Sequence, residues 1–311
     1  MKNGKIAVIG LVGQSAFLST EHFANAGETI QSDSLFFEIG GKGYNQAVAC
    51  ARMGSDTVFI GAIGKDTNGM LCRDALAGEG LPGVFLEKDI PTAFAVITTD
   101  QSGENTVNVF PGASKAMTGT DLRSPEILQT LQNCEYLLLQ NELQESCLEE
   151  AAILAKEMGL SLLLNPAPAS VGIRKILPNC QVITPNYEEA KRLLGIGHEK
   201  AVTDQQMAEG FQTLGVPCAV VTNGSQGAIL LREGRAKRFP AYHHGETVDT
   251  TGAGDVFNGA LTASLASGET METAIQNAII AAGISVTRHG AVACIPRKEE
   301  VKAVMRTMQL E

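Results

Sequence analysis

Val248-Asp249-Thr250-Thr251-Gly252-Ala253-Gly254-Asp255 runs straight into Val256-Phe257-Asn258-Gly259-Ala260-Leu261-Thr262-Ala263. The first stretch reads as a strand end and a glycine turn, the second as an apolar helix. A helix opened in this way presents backbone N–H groups with no intrahelical acceptor, backed by the positive end of the helix dipole. Such a start suits an anion, phosphate above all. Asp255 would repel a resting phosphate, so its carboxylate makes more sense as a base for whatever attacks the phosphorus. The stretch points to phosphoryl transfer, with Gly252, Ala253 and Gly254 as the anion cradle and Asp255 as the base.

Working outward, short β-rich apolar runs alternate with amphipathic stretches. Ile6–Ile9, Thr57–Ile60, Tyr136–Leu139, Ser161–Leu164, Val182–Ile183, Ala219–Thr222 and Ala228–Leu231 read as strands. Asn45–Arg52, Leu71–Ala77, Leu148–Met158, Tyr187–Leu194 and Asp204–Leu214 carry helical spacing, as do Met271–Val286 and Lys298–Met308. This alternation predicts an α/β fold, a mostly parallel sheet covered by helices on both faces. Two segments of short alternating runs, about 12–39 and 91–111, interrupt it and predict antiparallel strands forming a small β-sheet lid over a cleft. We expect one domain over residues 1–311.

Composition narrows the function. The 311 residues carry 44% hydrophobic and 19% charged side chains and a net charge of −10, with no Lys/Arg block, which argues against a nucleic-acid partner. The first apolar run, Ile6–Ile9, is too short for a signal peptide, and no run nears the roughly 18 residues that cross a bilayer. The seven cysteines are odd in number and lack CxxC or Cys/His ligand spacing, as expected of reduced core thiols in a cytoplasmic protein.

Five further motifs carry chemistry. In Gly40-Gly41-Lys42-Gly43-Tyr44-Asn45, glycines allow close backbone approach, Lys42 and Asn45 supply donors for a polyol, and Asn45 also suits a helix cap. It is not a Walker A loop, which needs glycine where Phe36 stands. Gly61–Gly69 is a strand-to-helix connection with a turn aspartate, Asp66. Glu142 follows a strand's C-terminal end, where it accepts a substrate hydroxyl or charges a helix N-terminus. Asn186 and Glu189 form either a capping box or hard oxygen partners for the water shell of Mg²⁺. Thr222-Asn223-Gly224-Ser225-Gln226-Gly227 borders a nucleotide or closes a hairpin. Gly10-Leu11-Val12-Gly13 lacks the spacing of an NAD fingerprint.

The motifs GGKGYNQA at 40–47, NPAPA at 165–169, TPNYEEA at 184–190, DTTGAGDVFNGAL at 249–261 and SVTRHGA at 285–291 occur in this order. Over essentially its whole length the chain resembles the PfkB-type carbohydrate kinases, closest to the ribokinases. That resemblance implies a three-layer ribokinase-like α/β/α fold and ATP-dependent phosphorylation of a primary sugar hydroxyl. It implies Asp255 as base, the amides of Gly252, Ala253 and Gly254 as anion hole, and Gly41, Lys42, Asn45 and Glu142 on the sugar. It further implies Asn186 and Glu189 organising Mg²⁺ and phosphates, and Thr222, Gly224 and Gly227 bordering the nucleotide. Asp249 and Thr251, with carbonyls near Ser285, Arg288 and Gly290, match a site for K⁺. Exposed lid strands imply a homodimer through the lids.

Two departures bear on the substrate. The family's Asn-x-Asp after the first strand is here Gly13-Gln14-Ser15, so a hydroxyl at Ser15 replaces a carboxylate acceptor. Tyr44 stands where a small residue is usual, either narrowing the sugar pocket or packing on the lid. Ribose is therefore in question as the sugar. A nucleoside, needing an apolar subsite near Ala93, Ala95 and Ile97, or a sugar acid, needing Lys42, is the alternative. A sugar-binding protein without turnover is a further one, opposed by the intact Asp255 and its turn.

Overall fold

The computed structural model describes residues 4–308; residues 1–3 and 309–311, the two ends of the expected domain span, lie outside the described residues. The strands are β1 (Ile6–Ile9), β2 (Gly13–Thr20), β3 (Ser32–Gly40), β4 (Thr57–Gly64), β5 (Gly83–Lys88), β6 (Ala93–Thr99) and β7 (Asn105–Phe110). They continue as β8 (Tyr136–Gln140), β9 (Ser161–Asn165), β10 (Val182–Ile183), β11 (Cys218–Thr222), β12 (Ala228–Arg232) and β13 (Arg235–Phe239). The larger sheet has the order β13-β12-β11-β10-β9-β8-β1-β4-β5. It is parallel from β5 to β11, and β12 and β13 close one edge antiparallel.

β1 lies inside this sheet, and all four of its residues are fully buried. Its alternation splits them between two cores. Ala7 and Ile9 join a cluster with Leu148, Leu193 and Phe211, from the helices Glu145–Met158, Tyr187–Leu194 and Asp204–Thr213. Ile6 and Val8 join Val48, Leu261 and Ile280, from the helices Lys42–Arg52, Ala253–Ala266 and Met271–Ser285. A strand wetted on neither face must read as a continuous apolar run, as Ile-Ala-Val-Ile does. The fold is the expected helix–sheet–helix sandwich.

The lid is a separate sheet of order β3-β2-β6-β7. Its central pair, β2 with β6, is parallel, whereas the sequence led us to expect antiparallel strands throughout. β2–β3 and β6–β7 are hairpins inserted at two points of the chain, and their first strands run in the same direction. β5, β13 and the helix Pro125–Gln132 were not expected either. β13, Arg-Ala-Lys-Arg-Phe, is an exposed edge strand whose charges hide the alternation while they guard the edge. No helix among the described residues is long and apolar enough to cross a membrane.

Candidate active site

Gln140, Asn165 and Thr184, at the C-terminal ends of β8, β9 and β10, are linked by hydrogen bonds to the start of the Ala253–Ala266 helix, at the sheet end where ligands gather in open α/β folds. Asp255 sits in the first turn of that helix, with 6% of its surface exposed. Its Oδ2 accepts from Asn45 Nδ2 and its Oδ1 from Gln46 Nε2, both at 2.9 Å. The carboxylate is therefore aimed rather than free to rotate.

Gly252 stands before the helix at φ 74°, a left-handed conformation that suits glycine, and a Cβ there would meet the Ala291 carbonyl oxygen at 2.9 Å. Gly254 is exposed, and its missing Cβ would point into open space, which leaves room for a ligand above the turn. Among the expected anion donors, Ala253 N instead donates to Thr250 O at 3.3 Å.

Asn45 is not the helix cap we expected. The helix begins at Lys42 with Gly41 as its N-cap, and Asn45 lies inside it, freed from capping to reach Asp255. Asn45 Oδ1 is buried with no partner among the described residues. It lies 3.6 Å from where a Cβ on Gly40 would stand, as does the hydroxyl oxygen of Ser15, so the lid and the body converge on that spot. The helix start can crowd the end of β1 because glycines face each other there: a Cβ on Gly43 would lie 2.6 Å from Gly10 Cα.

Lys42 N donates to Glu142 Oε2 at 3.1 Å, so the Glu142 carboxylate stands at the N-terminus of the Lys42–Arg52 helix. It does not cap the helix that follows it in the chain, whose N-cap is Gln144. The charge of Asp255 holds the Lys42 ammonium above its usual range. Burial pushes the Glu142 carboxyl up to about 7; the Asp255 charge adds to this and Lys42 opposes it. A carboxyl raised in the folded state makes its ionised form a liability there, growing from about pH 4.5 to 7 and persisting above. Glu142→Gln should therefore melt at higher temperature than the parent at pH 8 and alongside it at pH 4. Thermal melts at the two pH values check this.

Tyr44 neither narrows the sugar pocket nor packs on the lid. It is buried in the core, edge-on to Phe59 with ring centroids 6.5 Å apart. The substrate argument built on it falls away.

Asn186 and Glu189 form the capping box: Asn186 Oδ1 accepts from Glu189 N and Glu189 Oε2 from Asn186 N, each at 2.8 Å. Burial raises the Glu189 carboxyl, and the charges of Lys42 and Asp255 also act on it, so it lies in the field of the same site. Among the described residues no cluster of three or more His, Cys, Asp or Glu could hold a metal ion. Thr222 bridges Asn186 across the ends of the strands, and 223–227 does close a hairpin between β11 and β12, with Gly224 at its exposed turn and Gly227 buried. Asp66 caps the helix Thr67–Gly78 through Gly69 N.

Asp249 accepts from Thr251 N at 2.9 Å and from Gly290 N at 3.0 Å, which draws two loops together. The Ser285 hydroxyl donates to Ala282 O, and the Arg288 guanidinium turns away to Glu300. The Ser285 carbonyl accepts from Arg288 N at 3.0 Å.

Sequence reasoning missed a buried amide chain behind Asp255. Gln46 Nε2 is shared between Asp255 Oδ1 and Asn165 Oδ1 (3.1 Å), and Gln46 Oε1 accepts from Gln140 Nε2 at 2.7 Å. Asn165 Nδ2 donates to Thr184 O at 2.9 Å. Thr184 in turn donates to Asn258, whose Nδ2 donates to Gly254 O at 2.8 Å. No sequence signal marked Gln46, because its burial with the rest of Gly43–Cys50 shows only in the folded helix.

Residues 3–298 match the pfkB family carbohydrate kinases. The chain is 33% identical over 297 residues to the ribokinase of Haemophilus influenzae, covering 95% of this chain and 96% of that one. The crystal structure of ribokinase from Thermotoga maritima superposes with TM-score 0.88 at 34% identity, covering 97% of this chain and 99% of that one. Arabidopsis thaliana ribokinase complexed with ribose and ATP superposes with TM-score 0.87 at 27% identity, covering 98% and 99%.

Proposed function

The chain belongs to the pfkB family of carbohydrate kinases, phosphotransferases that use an alcohol group as acceptor, and from that premise we propose that it transfers the γ-phosphoryl group of ATP to a primary hydroxyl of a pentose or a related small sugar. The observation that carries this is Asn45: a buried Oδ1 without a partner, on a side chain whose other end holds Asp255. A hydroxyl donor from a sugar satisfies that oxygen and brings the substrate beside the base.

In this reading Asp255 accepts the hydroxyl proton as the oxygen attacks in line. The turn of Gly252, Ala253 and Gly254 meets the developing phosphoryl charge, with Ala253 N held by Thr250 O until a ligand draws it away. Gly41, Lys42, Asn45, Glu142 and Ser15 hold the sugar, and the lid keeps water from the phosphate. Asn186, Thr222, Gly224 and Gly227 border the nucleotide. Asn186 and Glu189 would hold Mg²⁺ through its water shell, and the ion would supply positive charge against the phosphates. K⁺ would lie beside Asp249, with the carbonyls of Thr251, Ser285, Arg288 and Gly290; the loops that Asp249 draws together suit a carbonyl-rich monovalent site. The enzyme would work in the cytoplasm, where its seven buried cysteines stay reduced.

A phosphorylation panel of ribose, deoxyribose, fructose, nucleosides and sugar acids, with and without K⁺, tests the proposal. Ser15 offers a neutral acceptor worth about 1 kcal/mol, against roughly 1.5–3 for a carboxylate. Ribose and deoxyribose should therefore differ by no more than about tenfold in kcat/KM. Saturable sugar binding without ATP turnover would instead mark a sugar-binding protein. A nucleoside acceptor is the second reading, favoured by Phe17 and Phe36, whose rings stack 4.5 Å apart on the lid face that also carries Ser15.

The opposite lid face exposes Leu35 and Phe37 to 55% and Phe110 to 49%. We propose that the lid of a second copy covers it, giving a homodimer. Sedimentation should find a dimer for the parent and monomer for Phe37→Glu; a parent that is monomeric at micromolar concentration refutes this.

A further inference from the structure

Glu38 lies on β3, two residues before the glycine that leads into the Lys42–Arg52 helix. Its carboxylate leaves the lid and accepts three consecutive backbone N–H groups of a loop 253–255 residues further along the chain. Oε2 takes Ala291 N at 2.9 Å, and Oε1 takes Val292 N at 3.0 Å and Ala293 N at 2.9 Å. Successive N–H groups converging on one point form an anion nest, here filled by the protein's own carboxylate. Both oxygens are committed to it, so Glu38 does not stand in for the sugar carboxylate missing at Ser15.

The loop it grips has no slack. Gly290 N donates to Asp249 Oδ2 at 3.0 Å, and Arg52 Nη1 donates to Val292 O at 2.8 Å and Ile295 O at 2.9 Å. Ala291 backs directly onto the anion turn, where a Cβ on Gly252 would meet Ala291 O at 2.9 Å and Ala291 Cα at 3.1 Å. One continuous set of contacts therefore runs from the lid strand through 291–293 to the turn that carries Asp255. On the lid, Glu38 pairs in register with Ser15, on the acceptor side of the cleft.

We propose that Glu38 is a positioning residue: it ties the lid strand to the phosphoryl-transfer turn and so sets the distance between bound acceptor and anion hole. Charge-assisted bonds are about twice as strong as neutral ones, which suits a tie between two separate parts of the fold. The inference rests on the kinase reading for its kinetic arm only.

Glu38→Gln puts an amide N–H against N–H donors of the loop, and Glu38→Asp keeps the charge but shortens the tether by one methylene. Both are compared with the parent full-length protein by steady-state kinetics, thermal melting and amide hydrogen exchange. Misplacement of reacting groups by about 1 Å costs up to about 10²-fold. We expect kcat to fall by about tenfold or more in Glu38→Gln, with KM for sugar and ATP moving less than about threefold. Exchange should quicken at 250–256 as well as at 289–294. Glu38→Asp should melt close to the parent and still lose kcat. Faster exchange confined to 289–294, or a lowered melting temperature with kcat unchanged, overturns the proposal. If Glu38→Gln does not fold, the kinetics and exchange of Glu38→Asp decide in the same terms. A parent without kinase turnover would sink the kinase reading and leave the exchange result to judge the tie.

Discussion

Asp255→Asn should lower turnover by about 10²–10⁴ while sugar and nucleotide bind within a few-fold of the parent, because general-base help of that size is lost and contacts to the ground state are not. The environment of Asp255 sharpens the expectation. Both carboxylate oxygens receive amide donors, from Asn45 and Gln46. An asparagine has one acceptor oxygen, so its NH₂ must face one of those donors. That mismatch leaves a buried donor unsatisfied and costs about 1–3 kcal/mol of stability. Asp255→Ala, which removes the base without adding a donor, is the companion variant. Isothermal titration with sugar and with a non-hydrolysable ATP analogue, beside ADP-release kinetics, separates binding from chemistry. Near-parental kcat in both variants would remove Asp255 from its role as base.

The 248–263 stretch was legible in the sequence because its information is local. A glycine turn, a helix start and an acid at its first turn need no distant partner to be read. The strands were legible for a related reason: β1, β8, β9 and β11 are buried on both faces and announce it as unbroken apolar runs. What stayed hidden depends on which residues meet across the fold. Gln46 reaches Asp255 across 209 positions and Asn165 across 119. In sequence it is one more polar residue on an amphipathic helix. Tyr44 misled in the opposite sense. Its place inside a glycine-rich motif suggested a ligand, but the helix turns it into the core against Phe59. Asn45 looked like a cap because helix boundaries are only loosely marked; the three-residue shift of the start to Lys42 changed its job.

Gln46→Leu should produce the second-largest loss, although Gln46 touches no expected substrate atom. It is fully buried, and it joins Asp255 Oδ1, Asn165 Oδ1 and Gln140 Nε2 through a single amide. Leucine fills similar space but orphans these polar atoms at once, at about 1–3 kcal/mol each before relaxation. A total of roughly 3 kcal/mol off global stability is the expected scale. Asp255 would keep only Asn45 to aim it, and kcat should fall by roughly 10–10² through misalignment.

Gln46→Glu separates aiming from simple loss of stability. It places a second carboxylate within hydrogen-bond distance of Asp255, and two such groups do not both ionise near neutral pH. The pair then shares a proton, and Asp255 as a base is partly occupied. Raising the pH removes that proton, so kcat of Gln46→Glu should climb between about pH 7 and 9 while the parent stays level. A flat pH profile with kcat within twofold of the parent would mean that Gln46 only fills space, and that Asn45 alone orients the base.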